Sequence, residues 1–234
     1  MKLAIHQPHY MPGPAYFHKM ASADFFVFLN DAQFEKNEWQ HRNRIRNASG
    51  AQWLSVPTTY KFPQKINEVE VDFSQNWQRN HFHSIEACYG KAAFYSKYAP
   101  LFAEFFCAPC SKIDRIDIDS VKLLAGILGI KTEYALTSDY KFKGESTEKL
   151  VAICKHFKAT SYIADDGSGD YLNMELFEKA GIKVVFQRFN YPVYAQHWAK
   201  TPDDFIPGLS AIDLLFNCGP KSMDILMPKS PSTS

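Results

Sequence analysis

An α/β fold with a Rossmann-like, largely parallel sheet is predicted for this chain of 234 residues. Three observations carry that expectation. Short apolar runs of strand length alternate with longer stretches of helical period. Glycine closes helical stretches at Gly129 and Gly181, where a left-handed cap is needed. Polar turns follow the apolar runs directly, which puts them at the carboxyl edge of a parallel sheet.

Leu3-Ala4-Ile5 reads as the first strand, and Tyr16 to Met20 as a short helix. Pro8, Pro12 and Pro14 hold the intervening loop extended. Asp24 to Leu29 is the next strand, and a right-handed strand–helix–strand unit places 6–19 at the carboxyl edge. The polar stretch from Asp31 to Gly50 reads as a long loop, a length that marks function in a compact domain. Gln52 to Pro57 and Glu68 to Val71 read as strands. Trp77 to Phe106 is helical and aromatic, with Pro100 expected to break it in two. Ile113 to Leu128 is an amphipathic helix, and Thr132 to Leu136 a strand. The next helix spans Ser146 to His156, with Ser146 or Thr147 as its N-cap. Ser161 to Ala164 is a strand, followed by a polar turn, a helix to Ala180 and a strand over Ile182 to Gln187. A proline-marked segment from Tyr191 to Pro207 leads to a last helix near Ser210 to Asn217. One domain over 1–222 is expected, with a helical insertion at about 76–127 and a loose tail over 223–234.

Lys plus Arg is 26 against 25 for Asp plus Glu, so the net charge of +1 makes no electrostatic case for nucleic-acid binding. No apolar stretch is long enough to cross a membrane. The first residues enter a strand without a basic and apolar leader, and the 5 cysteines lack framework spacing. Both features predict a cytoplasmic protein. Aromatics make up 15% of the chain, enough for an aromatic core and for tyrosines lining a ligand pocket.

The first strand is followed at once by His6, Gln7 and His9, then Tyr10, Tyr16, His18 and Lys19. A core needs none of these polar groups there, so the segment reads as the front of an active site. His6 and His9 suit proton transfer or substrate binding. Their H-x-x-H spacing in an extended loop is a weak metal signal, and no metal is expected. Arg42-Asn43-Arg44 suits a diphosphate or carboxylate, because guanidinium forks bind such oxygens bidentately. The competing reading pairs these arginines with Asp31 or Glu35 on a solvated loop. Asp166, Gly167, Ser168, Gly169 and Tyr171 form a glycine turn able to hold an anion, or a plain strand-to-helix connection. Asp213 among leucines, and Gln196 nearby, place polar groups in apolar surroundings. Asp213 is a candidate base, or it hydrogen-bonds a loop. Cys107 and Cys110 read as two ordinary thiols, and His81 and His83 as surface or core residues.

These segments resemble the WbqC-like family of bacterial proteins. The matching stretches include His6-Gln7-Pro8-x-Tyr10-x-Pro12, Tyr16-Phe17-x-Lys19, Phe28-Leu29-x-Asp31-x-Gln33-Phe34 and Gln40-x-Arg42-Asn43-Arg44-Ile45. Trp53-Leu54-x-Val56-Pro57, Gly167-x-Gly169-x-Tyr171-Leu172 and Ile212 to Asn217 continue the match, which covers the chain up to about Gly219. Gly13 and Ala15 stand where that family commonly has Trp and Gly, a change that would reshape a ligand pocket. The layout from Gln7 to Phe34 is also similar to the start of pantothenate synthetase, without its H-x-G-H motif.

The resemblance implies an enzyme of surface-polysaccharide (O-antigen, lipopolysaccharide) biosynthesis. It would transfer an acyl or aminoacyl group, such as glycyl, to the amine of a nucleotide-linked amino sugar. Asp31, His6, His9 and Asp213 are the candidate catalytic groups. Gln7, Tyr10, Tyr16, His18, Lys19, Gln33, Arg42, Asn43, Arg44, Gln196 and the 166–171 turn are the candidate substrate contacts. ATP is the candidate cofactor, and an aminoacyl-tRNA an alternative donor. A glycosyltransferase and a non-catalytic sugar-nucleotide-binding protein are the alternative functions. Oligomeric state is left open.

Overall fold

The computed structural model describes residues 1–228, and of Asp170 the backbone alone. In chain order the elements begin with β1 (Lys2–His6), α1 (Pro14–Ala21) and β2 (Phe25–Phe28). Two small antiparallel pairs follow, β3 (Arg42–Asn47) with β4 (Gly50–Ser55), and β5 (Thr58–Thr59) with β6 (Glu70–Val71). Three helices come next: α2 (Trp77–Tyr89), α3 (Tyr95–Cys107) and α4 (Ile113–Leu128). The chain then alternates through β7 (Glu133–Leu136), α5 (Ser146–His156), β8 (Ser161–Ala164), α6 (Met174–Lys179) and β9 (Lys183–Phe186). It closes with α7 (Ala211–Cys218) and α8 (Ser222–Leu226).

The central sheet has five strands in the order β7-β2-β1-β8-β9, each neighbour parallel to the next. That is the doubly wound Rossmann-like arrangement. Its strand order reverses between β1 and β8, where ligands of such sheets bind. Strand alternation divides the core. Leu3 and Ile5 of β1 and Val27 of β2 pack with α5 and α6 on one face. Ala4, Phe26 and Phe28 pack with α1, α2, α3, α4 and α7 on the other. Burial on both faces explains why these strands are continuously apolar rather than alternating.

Several local expectations change. The stretch read as one loop over 31–50 contains β3, so Arg42, Asn43 and Arg44 stand on a hairpin strand. Asn43 and Ile45 point into the core there while the arginines alternate to the other face, a polar-looking strand that is nonetheless half buried. Pro100 does not break a helix; it sits inside α3, and the break falls over 90–94. Glu145, not Ser146 or Thr147, stands at the N-cap of α5, and the Thr147 hydroxyl accepts from the Asn173 backbone N–H (3.1 Å). Of the strand expected over 68–71 only Glu70 and Val71 pair, after a 3-10 turn at Ile66–Glu68. Helices α2 to α4 occupy the region read as a helical insertion. The tail expected to run loose from 223 includes α8, whose Leu226 is buried. Residues 229–234 of that tail lie outside the described residues.

Candidate active site

The carboxyl ends of β1 and β8 lie side by side because Lys2 to Ala4 pair in parallel with Ser161 to Ile163. His6 therefore ends its strand next to Asp165, the first residue beyond β8. Pro14 opens α1 from the position a helix tolerates best, and one turn on it delivers Lys19 beneath both. The Lys19 ammonium is 1% exposed and donates to the Asp165 carboxylate at 2.9 Å and to the Ile5 carbonyl at 3.1 Å. A buried lysine with two oxygen partners is a fixed charge, which anchors Asp165 at the switch point.

A cleft of about 210 Å³ opens above this pair, lined by His6, His9, Tyr16, Asn43, Asp165 and Trp39 among others. The rings of His6 and His9 meet edge to face at 4.7 Å, and Tyr16 lies 4.6 Å from His6. Nδ1 of His6 is 2.9 Å from the Gln7 carbonyl. A carbonyl only accepts, so Nδ1 carries the proton of the neutral ring and Nε2 is left with a free lone pair. That Nε2 stands 3.8 Å from Asp165 Oδ2. Burial and the nearby Lys19 ammonium hold His6 down to about 4, against the Asp165 carboxylate and the Gln7 carbonyl. His9 is held well below its ordinary value by burial, then by His6 and Lys19. Burial acts to raise Asp165, but His6 and Lys19 outweigh it and leave the carboxyl below its usual range. At neutral pH the cleft thus presents two uncharged imidazoles over an ionised carboxylate.

A second cavity, of about 750 Å³, is lined by Gln7, Asp31, Gln33, Lys65, Lys149 and Tyr171 among others. Gln7, which follows the cleft residue His6 in the chain, lines this second space, with its Oε1 accepting from Gln40 Nε2 at 2.7 Å. Asp31 pairs with Lys149 at 2.7 Å and accepts from the Thr137 hydroxyl. Burial acts to raise Asp31, but Lys149 and Thr137 hold it below its ordinary value.

The residues expected in one site are therefore divided. His6, His9, Tyr16 and Asn43 line the cleft, and Gln7, Asp31, Gln33 and Tyr171 the larger cavity. Tyr10 lines neither. It is fully buried, and its hydroxyl is 2.8 Å from Nδ1 of His81 in the core. His18 stands behind the cleft, with Nδ1 taking a bond from Gln187 at 2.9 Å. Asp213 lines neither cavity, because Tyr89, Tyr194 and Gln196 all donate to its buried carboxylate at 2.7–2.9 Å. Gln196 is spent there and on Arg46, at a separate surface pocket. In the glycine turn the Ser168 hydroxyl donates to the Asp165 carbonyl at 2.6 Å, so it shapes the turn instead of facing a cavity. Gly167 has the left-handed conformation (φ 81°), and neither it nor Asp166 or Gly169 lines the cleft. Arg42 and Arg44 do not line the cleft. Arg42 lies over the Trp53 ring at 4.3 Å, and Arg44 donates to the carbonyl of Gly208, a cleft residue, at 3.3 Å.

Lys149, Asp165, Trp39, Gln187 and Tyr191 border these spaces and were missed from the sequence. Asp165 had a usable signal, being the first polar residue after a strand that neighbours β1. Trp39 had none, since its place depends on the hairpin that follows it. Gly13 and Ala15, the two departures from the common family pattern, both line the cleft. A side chain on Gly13 would come within 2.9 Å of the Leu209 carbonyl, so the 209 backbone closes in where Gly13 leaves room. Among the described residues no helix is long and apolar enough to cross a membrane.

Comparison with known proteins agrees with this arrangement of motifs. The chain is 33% identical over 232 residues to the uncharacterised protein Rv1507c of Mycobacterium tuberculosis, covering 96% of this chain and 97% of that one. No solved structure matches it. The WbqC-like protein family matches over residues 7–225, a span that takes in every lining residue of both cavities except His6, which stands one residue before it. The chain belongs to the WbqC-like protein family.

Proposed function

We propose that the protein is a cytoplasmic enzyme of surface-polysaccharide (O-antigen) biosynthesis that forms an amide on the amine of a nucleotide-linked amino sugar. The observation that carries this reading is the free Nε2 of His6, 3.8 Å from an Asp165 carboxylate that Lys19 holds in place. Amide formation needs a base that is uncharged at the working pH and an anion to stabilise it once it takes the proton. His6 and Asp165 have those two properties. The amine nitrogen bonds to the acyl carbon, the bond from that carbon to its leaving group breaks, and the amine proton passes to His6 Nε2. His9, also neutral, lies at the edge of the His6 ring and orients the incoming groups. The cleft is smaller than the roughly 300–1,000 Å³ usual for a whole ligand, and suits a sugar ring bearing the amine. Arg44, which donates to the carbonyl of the cleft residue Gly208, and Arg42, two residues before it on β3, hold the diphosphate. The larger cavity, lined by Gln7, takes the acyl donor, a glycyl-type group activated with ATP or carried on an aminoacyl-tRNA.

The test is to incubate the protein with a panel of nucleotide–amino sugars, glycine, ATP and charged tRNA, and to look for amide by mass. Amide formation that is lost in His6→Gln supports the reading. A glycosidic product would instead show a glycosyltransferase. Ligand-induced thermal stabilisation without any product across the panel would show a binding protein and sink the proposal.

A further inference from the structure

The β3 strand alternates Arg42, Asn43, Arg44, Ile45, Arg46, and antiparallel pairing sets Trp53 of β4 directly opposite Arg44. Opposed residues share a sheet face, so the three arginines and Trp53 form one surface. Trp39 joins it from the preceding loop, with its ring 5.7 Å from that of Trp53. The Arg44 guanidinium lies 5.9 Å from the Trp39 ring and 5.7 Å from the Trp53 ring. Arg46 turns inward to Gln196, while Arg42 and Arg44 are half-buried, Arg42 lying over the Trp53 ring at 4.3 Å and donating to the Asn37 carbonyl. Among the described residues neither has a carboxylate within salt-bridge distance: Asp31 is taken by Lys149, and Glu35 makes no ion pair. The two indoles are 36% and 44% exposed, a large apolar area for a surface that carries two unpaired cations. This face is continuous with the cleft, since Trp39 lines the cleft and Arg44 holds the Gly208 carbonyl on its wall.

Indoles beside unneutralised guanidiniums complement a flat base attached to a diphosphate. The rings offer stacking area, and the forks offer paired donors to phosphate oxygens. Pyranose stacking on the same indoles would leave the two cations without a partner. We propose that the Trp39–Trp53 face of the hairpin is the base subsite of a nucleoside-diphosphate sugar, with the base on Trp53 in the place the Arg42 guanidinium now takes, the diphosphate drawing Arg42 off the ring to join Arg44, and the sugar entering the cleft past Trp39. This rests on the amide-forming reading for the sugar, though not for the nucleotide. It gives the exposed tryptophans a role in selecting nucleotide sugars over simple sugar phosphates.

The experiment measures binding of UDP, CDP, GDP, ADP and dTDP, and of pyrophosphate, to the wild-type chain and to Trp53→Leu, Trp53→Phe and Arg44→Ala. Tryptophan fluorescence and calorimetry are the readouts. The expected result is that at least one nucleotide binds and quenches fluorescence. Trp53→Leu then weakens it about 5- to 150-fold, the loss of one base–aromatic stack, while pyrophosphate binding is unchanged. Trp53→Phe retains most of the affinity, which separates stacking from a folding defect, and Arg44→Ala weakens nucleotide and pyrophosphate together. The proposal is overturned if the wild type binds none of the five, or if Trp53→Leu binds its nucleotide as the wild type does. Amide product whose KM for the nucleotide sugar ignores Trp53→Leu would reject the base subsite and leave the reaction standing. Trp53-dependent nucleotide binding with no amide across the panel would do the reverse.

Discussion

His6 owes its available lone pair to a single contact, the hydrogen bond from Nδ1 to the Gln7 carbonyl, and its low basicity to burial beside Lys19. Replacing Lys19 by Met removes the cation that opposes a proton on His6 and leaves Asp165 to favour one. The acid limb of the pH–rate profile should therefore move to higher pH than in the wild type, with kcat near neutrality the control. The variant should also lose stability, because one partner of a buried pair is gone. Asp165 is 44% exposed and can turn to water, so the loss should fall below the roughly 3–5 kcal/mol of a fully buried pair, as read by chemical denaturation. His9 makes no side-chain hydrogen bond among the described contacts and lines the cleft. His9→Ala should lower turnover more than it lowers Tm, and equal losses in both would show that His9 is a packing residue.

Helix α5 is held against the sheet end by the Asp31–Lys149 ion pair, both side chains 18% exposed. The pair closes one wall of the larger cavity and joins Asp31, three residues beyond β2, to the first turn of the helix. Partial exposure screens it, so Lys149→Ala should cost on the order of 1–2 kcal/mol, between exposed and buried pairs. It should also raise hydrogen exchange over the first turn of α5 without changing the β3–β4 hairpin. The hairpin itself was hidden from sequence reading for a physical reason. Its strand β3 carries three arginines and two asparagines, and only Ile45 is a strong strand former. Two contacts hold it in place that no local pattern reveals: Asn43 donates to the carbonyls of Tyr10 and Met11, and the Tyr89 hydroxyl accepts from the Arg46 backbone N–H at 2.9 Å. Pro100 misled in the opposite direction, since α3 packs Tyr98 and Phe102 into the core on either side of the missing N–H.

Across the whole molecule, His6, His9 and His81 are all pushed below the ordinary imidazole value, chiefly by burial. The unfolded chain takes protons on these rings below about pH 6.5, while the folded chain refuses them until much lower pH. Stability should thus be fully present above that value and fall as pH drops toward about 4, where His6 and His81 titrate in the fold. Thermal unfolding from pH 7.5 to 4 should show this slope, and His81→Phe should flatten it without touching the cleft; a Tm independent of pH over that window would contradict the burial of all three. The alternation of strands and helices through the central sheet, the apolar strands β1 and β2, the helix α4 closed by Gly129, and the family motifs were legible in the chain. They depend on hydrophobic period and on local caps, which act over neighbouring residues. So was the edge on which the histidines stand, because a strand–helix–strand unit has one handed solution. The division of the expected site into two spaces was not legible. It depends on the strand order β7-β2-β1-β8-β9, on Gln40 reaching Gln7, and on a hairpin docked by buried side chains. Those contacts join residues far apart in sequence, and their free energy comes from satisfying buried polar groups, which no periodicity records. For the same reason Asp213 looked like a base. Its three donors, Tyr89, Tyr194 and Gln196, arrive from α2 and the segment before α7 only when the core closes.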